Sequence, residues 1–243
     1  MIQKATEKFS ANPVAGTAGT KVSVFTSPGR SGFGPELTLA YDSGTGNGPF
    51  CFGWTRSTPS IVRKTDKALQ QYNDVDNSDT FILSGAEDLV PILVQGESDW
   101  RREVFASPAG EPGYVVHRYR QRIEGLFARI ARWLDVASGI SHWSPISKDN
   151  TTTLYGSREK AGITDPDDST RVFKWLVCES FDDIGNAFLF HYKSENDSRI
   201  DRDSPFERNH LISGRLPQRN LTTTENGNRT ERIAGEDLAL RND

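Results

Sequence analysis

Short runs in which apolar and polar residues alternate mark the first half of the chain. Residues 21–26 (KVSVFT) and 36–41 (ELTLAY) alternate with a period of two, and each run ends at a turn-forming sequence. A period of two places the apolar side chains on one face of a strand, and this strand spacing is typical of antiparallel β architectures. Further strand-like runs follow at 60–64, 80–83 and 89–93, where Pro91 indicates a sheet edge or a bulge. The pattern predicts a mainly β fold with little helix, whose antiparallel strands and hairpins form a β-rich shell or sandwich-like domain.

The segment 121–134 fits two different structures. Its apolar residues, at positions 123, 126, 127, 130, 133 and 134, have the spacing of an amphipathic helix. Gly125 opposes a helix, since glycine in a helix interior costs about 1 kcal/mol relative to alanine. The following segments 142–146 and 151–155 are extended in character. The local pattern alone favours a helix, whereas the context favours one long twisted strand, and we adopt the strand.

The last third of the chain divides into a predicted hairpin and a polar tail. Residues 171–178 and 187–192 are rich in β-forming residues, and the turn sequence at 182–186 (DDIGN) connects them. From residue 193 onward charged residues dominate, so the segment buries too little apolar surface to offset its ordering entropy. The predicted organisation is a polar leader at 1–20, a β-rich domain at 21–192 and a charged, flexible or truncated tail at 193–243.

Composition excludes several classes of protein. The 243 residues carry a formal net charge of −4, which gives no general case for binding nucleic acid or anionic membranes. No apolar run is long enough for a membrane span, and the polar start MIQKATEKFS lacks the apolar core of a secretory signal. Two cysteines, Cys51 and Cys178, make neither a disulfide framework nor a metal knuckle. Each is expected to be a small buried residue.

No motif predicts a catalytic, cofactor-binding or metal-binding residue. The glycine-rich run 44–48 lacks the lysine and the following helix of phosphate-binding loops, which favours a hairpin loop. The acidic run 74–79 lacks the glycine and glutamate that a calcium loop requires, which favours a solvated turn. The four histidines have no zinc-site spacing, and no serine lies in a nucleophile elbow. The basic run 118–122 reads more simply as the polar outer face of a strand than as a nucleic-acid site.

Long blocks of the sequence resemble a known family. They lie in a fixed order at 7–13 (EKFSANP), 27–50 (SPGRSGFGPELTLAYDSGTGNGPF), 60–67, 81–93 (FILSGAEDLVPIL), 118–133 and 141–156. In these blocks the chain resembles the amino-terminal domain of SpvB-type virulence proteins, which is shared with TcB-type components of insecticidal toxin complexes. The sequence FDDIGN at 181–186 also resembles the tyrosine-aspartate repeat of Rhs-type shells.

The resemblance implies a non-catalytic, β-rich domain that opens a longer chain. It implies a shell that supports or encloses a toxic cargo, with a pore-forming component and an Rhs-type cargo-bearing component as partners. It also implies extracellular secretion without a standard signal peptide, and a cytoplasmic location before export or after delivery. The ADP-ribosyltransferase activity of SpvB is a property of a separate domain that needs a Glu-x-Glu pair. This sequence has no such pair, so the activity is not expected here.

Three departures from the family pattern favour a truncated member. The leader before Glu7 is short, Cys51 and Phe52 replace small or aliphatic residues, and residues 220–226 (NLTTTEN) replace an expected strand. The predicted function is a non-catalytic structural and interaction module. The alternatives are a carbohydrate- or surface-binding β domain that uses Trp54, Trp100 and Trp143, or an enzyme with a dispersed site. Exposed tryptophan rings can stack on sugars, although burial of these rings is the more common outcome.

Overall fold

Strands make up almost all of the regular structure in the computed structural model, which describes residues 8–13, 16–48, 50–66, 69–73, 78–84, 88–96, 99–106, 113–194, 204–205 and 218–227. The strands are β1 Lys8–Asn12, β2 Thr17–Val24, β3 Leu37–Asp42, β4 Asn47–Gly48, β5 Cys51–Phe52, β6 Trp54–Ser57, β7 Ser60–Arg63, β8 Phe81–Leu83, β9 Asp88–Pro91, β10 Leu93–Gln95, β11 Trp100–Arg102, β12 Val104–Ala106, β13 Tyr114–Gln121, β14 Arg129–Asp135, β15 Ser141–Ile146, β16 Thr152–Tyr155, β17 Gly162–Thr164, β18 Val172–Phe181, β19 Ala187–Ser194 and β20 Arg219–Asn226. In the described part of the chain, the longest helical element is a short 3-10 turn, Arg30–Gly32. The mainly β, antiparallel prediction is therefore confirmed.

The chain divides into two compact units. The first contains residues 1–58, 186–188 and 225–243, and its main sheet has the strand order β1-β2-β3-β6. Neighbouring strands in this sheet are antiparallel, as in the pairing of Val22 with Leu39. The short hairpin β4–β5 lies in the same unit. The glycine-rich run 44–48 leads into this hairpin, and the Gly44 backbone N–H donates to the Asp42 carboxylate at 2.8 Å.

The second unit contains residues 59–185 and 189–224, and eight of its strands close into a ring. The hydrogen-bonded order is β7-β8-β9-β13-β14-β15-β16-β18, and β18 pairs with β7 to complete the ring. The ten-residue strand β18 makes closure possible because β16 pairs with its carboxyl half and β7 pairs with residues 174–176. A closed, barrel-like shell removes the exposed edges of these strands.

The interior of the shell is packed with aromatic rings. Phe81, Trp143 and Trp175 are each fully buried, and Tyr119 is 3% exposed. The ring centroids of Phe81 and Trp143 lie 4.9 Å apart, and those of Trp143 and Trp175 lie 5.9 Å apart. Edge-to-face pairs of this kind add about 0.5–1.5 kcal/mol each beyond area burial. Gly156, with φ of 71°, permits the Trp175 ring to approach, since a Cβ atom there would lie 2.4 Å from Cδ1 of Trp175.

Most predicted strands are present. The period-two runs correspond to β2 and β3, and the later runs to β7, β8 and β9, which ends at Pro91. The segments after 141 form β15 and β16, and the predicted hairpin is formed by β18 and β19. Residues 121–134, however, form neither a helix nor one long strand. Strand β13 ends at Gln121, β14 begins at Arg129, and Gly125 lies in the loop between them.

Two further predictions were wrong in detail. Residues 219–226 were not expected to pack as a strand, yet β20 lies beside β19 in the sheet order. The three consecutive threonines at 222–224 supply the β propensity that a count of charged residues does not register. Cys178 is buried as expected, but Cys51 is exposed, because it lies in the short surface hairpin β4–β5 with φ of 76°.

Candidate interaction surface

Arg63, on β7, is buried inside the shell with an acidic partner. Its Nη1 donates to Oδ2 of Asp79 at 2.7 Å, and its Nε donates to the Val172 carbonyl oxygen at 2.7 Å. Its guanidinium also lies 5.2 Å from the ring centroid of Trp175. Burial opposes the ionisation of Asp79, but hydrogen bonds from the residue 71 and 72 backbone N–H groups and from Arg63 outweigh it and lower the pKa of this carboxyl. The pair is a structural element of the core.

Arg132, on β14, lies in the same interior. It is fully buried, its Nη2 donates to Oγ of Ser141 at 3.0 Å, and its guanidinium lies 5.1 Å from the centroid of the Phe81 ring. The guanidinium also lies 5.8 Å from the Trp143 ring centroid. Two cations surrounded by aromatic rings therefore fill this part of the shell, where favourable cation–π contacts offset part of their desolvation.

The buried carboxylates relevant to a dispersed catalytic site are each held in ion pairs. Besides Asp79, Asp88 accepts from Lys64 at 2.9 Å and lies 2.8 Å from Arg122, and Glu179 lies 3.3 Å from Arg158. In the described ranges, no three His, Cys, Asp or Glu side chains form a group that fits a metal ion. The acidic run 74–79 is described only in part, because residues 74–77 lie outside the described residues.

The three tryptophans proposed for carbohydrate binding have different surroundings. Trp143 is fully buried in the shell, so its predicted role in stacking on a sugar is wrong. Trp54 packs against the Tyr41 ring with a centroid distance of 5.3 Å. Trp100, on the hairpin β10–β11, is 67% exposed and lies near the also exposed Leu93 on the same face. Of the three, Trp100 alone has the exposure that stacking requires.

His142 has a strongly shifted pKa, which its aromatic surroundings explain. Its ring stacks on Trp133 with a centroid distance of 5.9 Å and an interplanar angle of 10°, and Tyr114 packs edge-on against both rings. Burial lowers the pKa of His142 to about 4, so the ring is neutral at physiological pH. This is a packed aromatic cluster on the outer face of β13–β15, and it offers no free ligand pair for zinc.

The loop between β13 and β14 carries the most concentrated exposed apolar side chains in the second unit. Ile123 is 65% exposed, Leu126 48% and Phe127 70%. The loop is nevertheless held in place, because Oε1 of Gln121 accepts from the Gly125 and Leu126 backbone N–H groups at 3.1 and 3.0 Å. A contiguous group of exposed apolar side chains is a feature of protein interaction sites. We call residues 122–128 the apolar loop.

The apolar loop was not predicted from the sequence, because its apolar spacing resembles that of a core-facing element. The spacing of Ile123, Leu126 and Phe127 was interpreted as the buried side of a regular element, although all three are exposed. Gly125 was the available signal for an interruption of the regular element. Glu124 accepts from the Phe127 backbone N–H at 2.7 Å and so closes the loop.

An apolar groove of about 340 Å³ adjoins this loop on the outer face of β13, β14 and β15. Ala128, at the end of the apolar loop, lines the groove, so the two features are continuous. The alternation predicted for the basic run 118–122 is observed, since Arg118 and Arg120 are exposed and Tyr119 and Gln121 are buried. The floor of the groove contains Phe105, Val116, Ala131, Trp133 and Ile146.

Comparison with known proteins identifies relatives of this chain. Residues 12–242 match the family model described as SpvB, Salmonella virulence plasmid 65kDa B protein. The mono(ADP-ribosyl)transferase SpvB of Salmonella typhimurium is 33% identical over 201 residues, which cover 82% of this chain, and the Salmonella dublin protein matches equally. The chain spans only 33% of the length of these curated relatives.

Solved structures give the same grouping. The N-terminal domain of effector protein SpvB from Salmonella typhimurium strain LT2 has a TM-score of 0.74 and 30% identity, covering 90% of this chain and 70% of that one. The TcdB2–TccC3 structure has a TM-score of 0.78 and 28% identity, covering 98% of this chain and 11% of that one. The Photorhabdus luminescens Tc holotoxin pore has a TM-score of 0.76 and 27% identity, covering 96% and 10%. No helix in the described residues is long and apolar enough to cross a membrane.

Proposed function

We propose that this chain, which belongs to the SpvB family of virulence proteins, acts as a non-catalytic structural and protein-binding module of a toxin-complex component. The solved neighbours include the N-terminal domain of effector protein SpvB and the TcdB2–TccC3 and Tc holotoxin structures, and the latter two support a toxin-complex setting. The observation that carries the proposal is the exposed yet fixed apolar loop on a shell whose interior is occupied by packed side chains.

The proposed role is to support or enclose a toxic cargo as part of a larger shell. The closed ring of eight strands is suited to this role because its packed aromatic interior makes the unit rigid. The proposed partners are a pore-forming component and an Rhs-type cargo-bearing component. The corresponding location is extracellular after secretion, with cytoplasmic stages before export or after delivery.

The absence of catalysis is supported by the ion pairing of the buried acids. A general acid or base needs a carboxyl group that is free to exchange a proton near neutral pH. Asp79 instead has a lowered pKa and two backbone donors besides Arg63. Asp88 and Glu179 are likewise paired with cations.

The experiment is co-expression of the chain with the toxin subunits encoded beside its gene, followed by size-exclusion chromatography with light scattering. The wild-type chain is expected to elute in a defined complex. The double substitution Ile123→Ser and Phe127→Ser removes exposed apolar area without touching the core, and we expect it to weaken the complex at least tenfold. Trp100→Ser is the matched control, since Trp100 is similarly exposed but lies on a different hairpin.

Two results would contradict the proposal. If no neighbouring subunit forms a complex with the wild-type chain, the interaction role is wrong. If the loop variant binds as tightly as wild type while Trp100→Ser abolishes binding, the contact surface lies on β10–β11 and not on the apolar loop.

A further inference from the structure

The groove beside the apolar loop has an unusual concentration of positive charge. Among the described residues that line it, Arg118, Arg120 and Arg129 are basic and none is acidic, although the whole chain carries a net charge of −4. All three arginines are exposed. Positive charge gathered at one concave site of an acidic protein indicates a ligand that carries negative charge.

Two of these arginines are neighbours across adjacent strands. Tyr119 on β13 pairs with Ile130 on β14, so Arg120 and Arg129 are the next residues along the two antiparallel strands. Like charges in such positions repel each other, which costs stability in the isolated domain. Arg118 is stacked over the Phe105 ring at 4.4 Å from its centroid and lies 3.9 Å from Glu103. Its guanidinium therefore lies over Phe105, which lines the groove.

We propose that this groove binds an extended segment of a partner protein in which acidic and apolar side chains alternate. The inference rests on the proposed interaction function and names the chemistry of the partner. Arg118 and Arg120 are two residues apart on one strand, a spacing of about 6.6 Å. Acidic residues at alternate positions of an extended peptide repeat at the same distance, so each carboxylate can meet one guanidinium.

The floor of the groove explains the apolar half of the pattern. A segment that lies along the furrow between β13 and β14 directs its acidic side chains toward Arg118 and Arg120 on β13 and its intervening side chains toward Ala131 and Trp133 on β14. A volume of about 340 Å³ accommodates a few aliphatic side chains. Recognition of alternate side chains by pockets is a known mode of binding extended peptides. The same groove is short and lacks a continuous basic surface, which disfavours a nucleic-acid strand.

The test uses the full chain and a short fluorescein-labelled peptide in which glutamate and leucine alternate, with fluorescence anisotropy as the readout. The double variant Arg118→Gln and Arg120→Gln is expected to weaken binding about tenfold or more, because both charge-assisted hydrogen bonds to the peptide carboxylates are lost. Ala131→Leu fills the floor and is expected to weaken binding as well. Lys193→Gln, which removes an exposed charge from β19, is the matched control and should bind like wild type.

Further arms identify the ligand class. The same peptide with glutamine in place of glutamate should bind at least tenfold more weakly, and binding should fall as salt rises. Failure of the glutamate peptide to bind, or equal binding by the double arginine variant, overturns the inference. Tighter binding of a single-stranded oligonucleotide than of the peptide also overturns it. If the neighbouring subunits form the complex while these groove variants bind normally, the proposed function stands and the groove assignment fails.

Discussion

Arginine occurs on both faces of the same shell, with opposite surroundings. Inside, Arg63 is held by Asp79 at 2.7 Å and by aromatic rings, and Arg132 is fully buried against Phe81 and Ser141. Outside, Arg120 and Arg129 are exposed at neighbouring positions of adjacent strands. The interior arginines contact aromatic rings and hydrogen-bond acceptors of the fold itself, whereas the exterior pair is arranged for a group that the fold does not supply.

The contrast shows that residue type alone does not distinguish structure from function. A strand with a period of two sends alternate side chains to opposite faces, and closure of the ring decides which face is enclosed. Arg132 and Arg129 lie on the same strand, three residues apart, and therefore on opposite faces. The surroundings of each side chain, and not its charge, assign its role.

The largest effect is expected from the interior ion pair. Arg63→Met should reduce the free energy of unfolding by about 3–5 kcal/mol, since it leaves Asp79 as a buried, uncompensated charge. Adding Asp79→Asn should recover about 1 kcal/mol, because the charge is gone and the amide oxygen still accepts from one of the two backbone N–H groups, that of Gln71 or that of Tyr72. Urea unfolding followed by tryptophan fluorescence measures both values.

The matched exterior control is Arg120→Met, which should change the free energy of unfolding by less than about 0.5 kcal/mol. A loss for Arg120→Met as large as that for Arg63→Met would break the distinction between the two faces. A double variant no more stable than Arg63→Met would show that the charge of Asp79 is not the cause.

A smaller, pH-dependent effect is expected from His142, which is partly buried on the outer face. Its folded-state pKa of about 4 lies below the usual value near 6.5, so the unfolded chain binds the proton first as the pH falls. Protonation of His142 in the unfolded chain does not affect stability above about pH 6.5. Between pH 6.5 and 4 it progressively lowers the free energy of unfolding. Asp79, whose pKa is lowered, keeps its stabilising charge in this window and loses it only at more acidic pH.

Between pH 7.5 and pH 4.5, the free energy of unfolding of the His142→Phe variant should therefore fall by roughly 2–3 kcal/mol less than that of the wild type. Urea unfolding at the two pH values measures the difference, and phenylalanine preserves stacking on Trp133. Parallel pH curves for the two proteins would mean that water reaches the His142 ring. This part of the outer face would then resemble the groove and not the interior.

Much of the fold was predictable because period-two alternation and turn residues are local signals. Residues 21–26, 36–41 and 171–192 contain both, and each forms the predicted strands. Closure of the ring was not predictable, because the pairing of β18 with β7 joins Trp175 to Ile61 across more than a hundred residues and leaves no local trace. The position of Trp143 inside the ring depends on that closure.

The interaction surface was harder to predict than the fold. In the sequence, the apolar residues of the apolar loop look like core residues, and only tertiary structure shows that Phe127 is exposed. The groove combines Arg118 and Ala131 from paired strands with Phe105 from β12, so no single segment contains its pattern. Resemblance to a family indicated a protein-binding role but not the residues that perform it.

A small effect on stability is also expected from Phe127, whose substitution compares the apolar loop with the interior. Phe127 is 70% exposed and has a φ of 50°, a conformation that costs a residue with a side chain and that glycine adopts freely. Phe127→Gly should therefore leave the free energy of unfolding within about 1 kcal/mol of wild type, with relief of backbone strain offsetting the added freedom of the unfolded chain. Phe81→Ala, the interior counterpart, should cost about 3–5 kcal/mol.

Urea unfolding gives both numbers, and binding of the neighbouring subunits to Phe127→Gly supplies the second readout. A loss for Phe127→Gly close to that for Phe81→Ala would mean that the apolar loop is part of the core. Unchanged stability combined with weakened complex formation would show that this side chain is maintained for a partner and not for the fold.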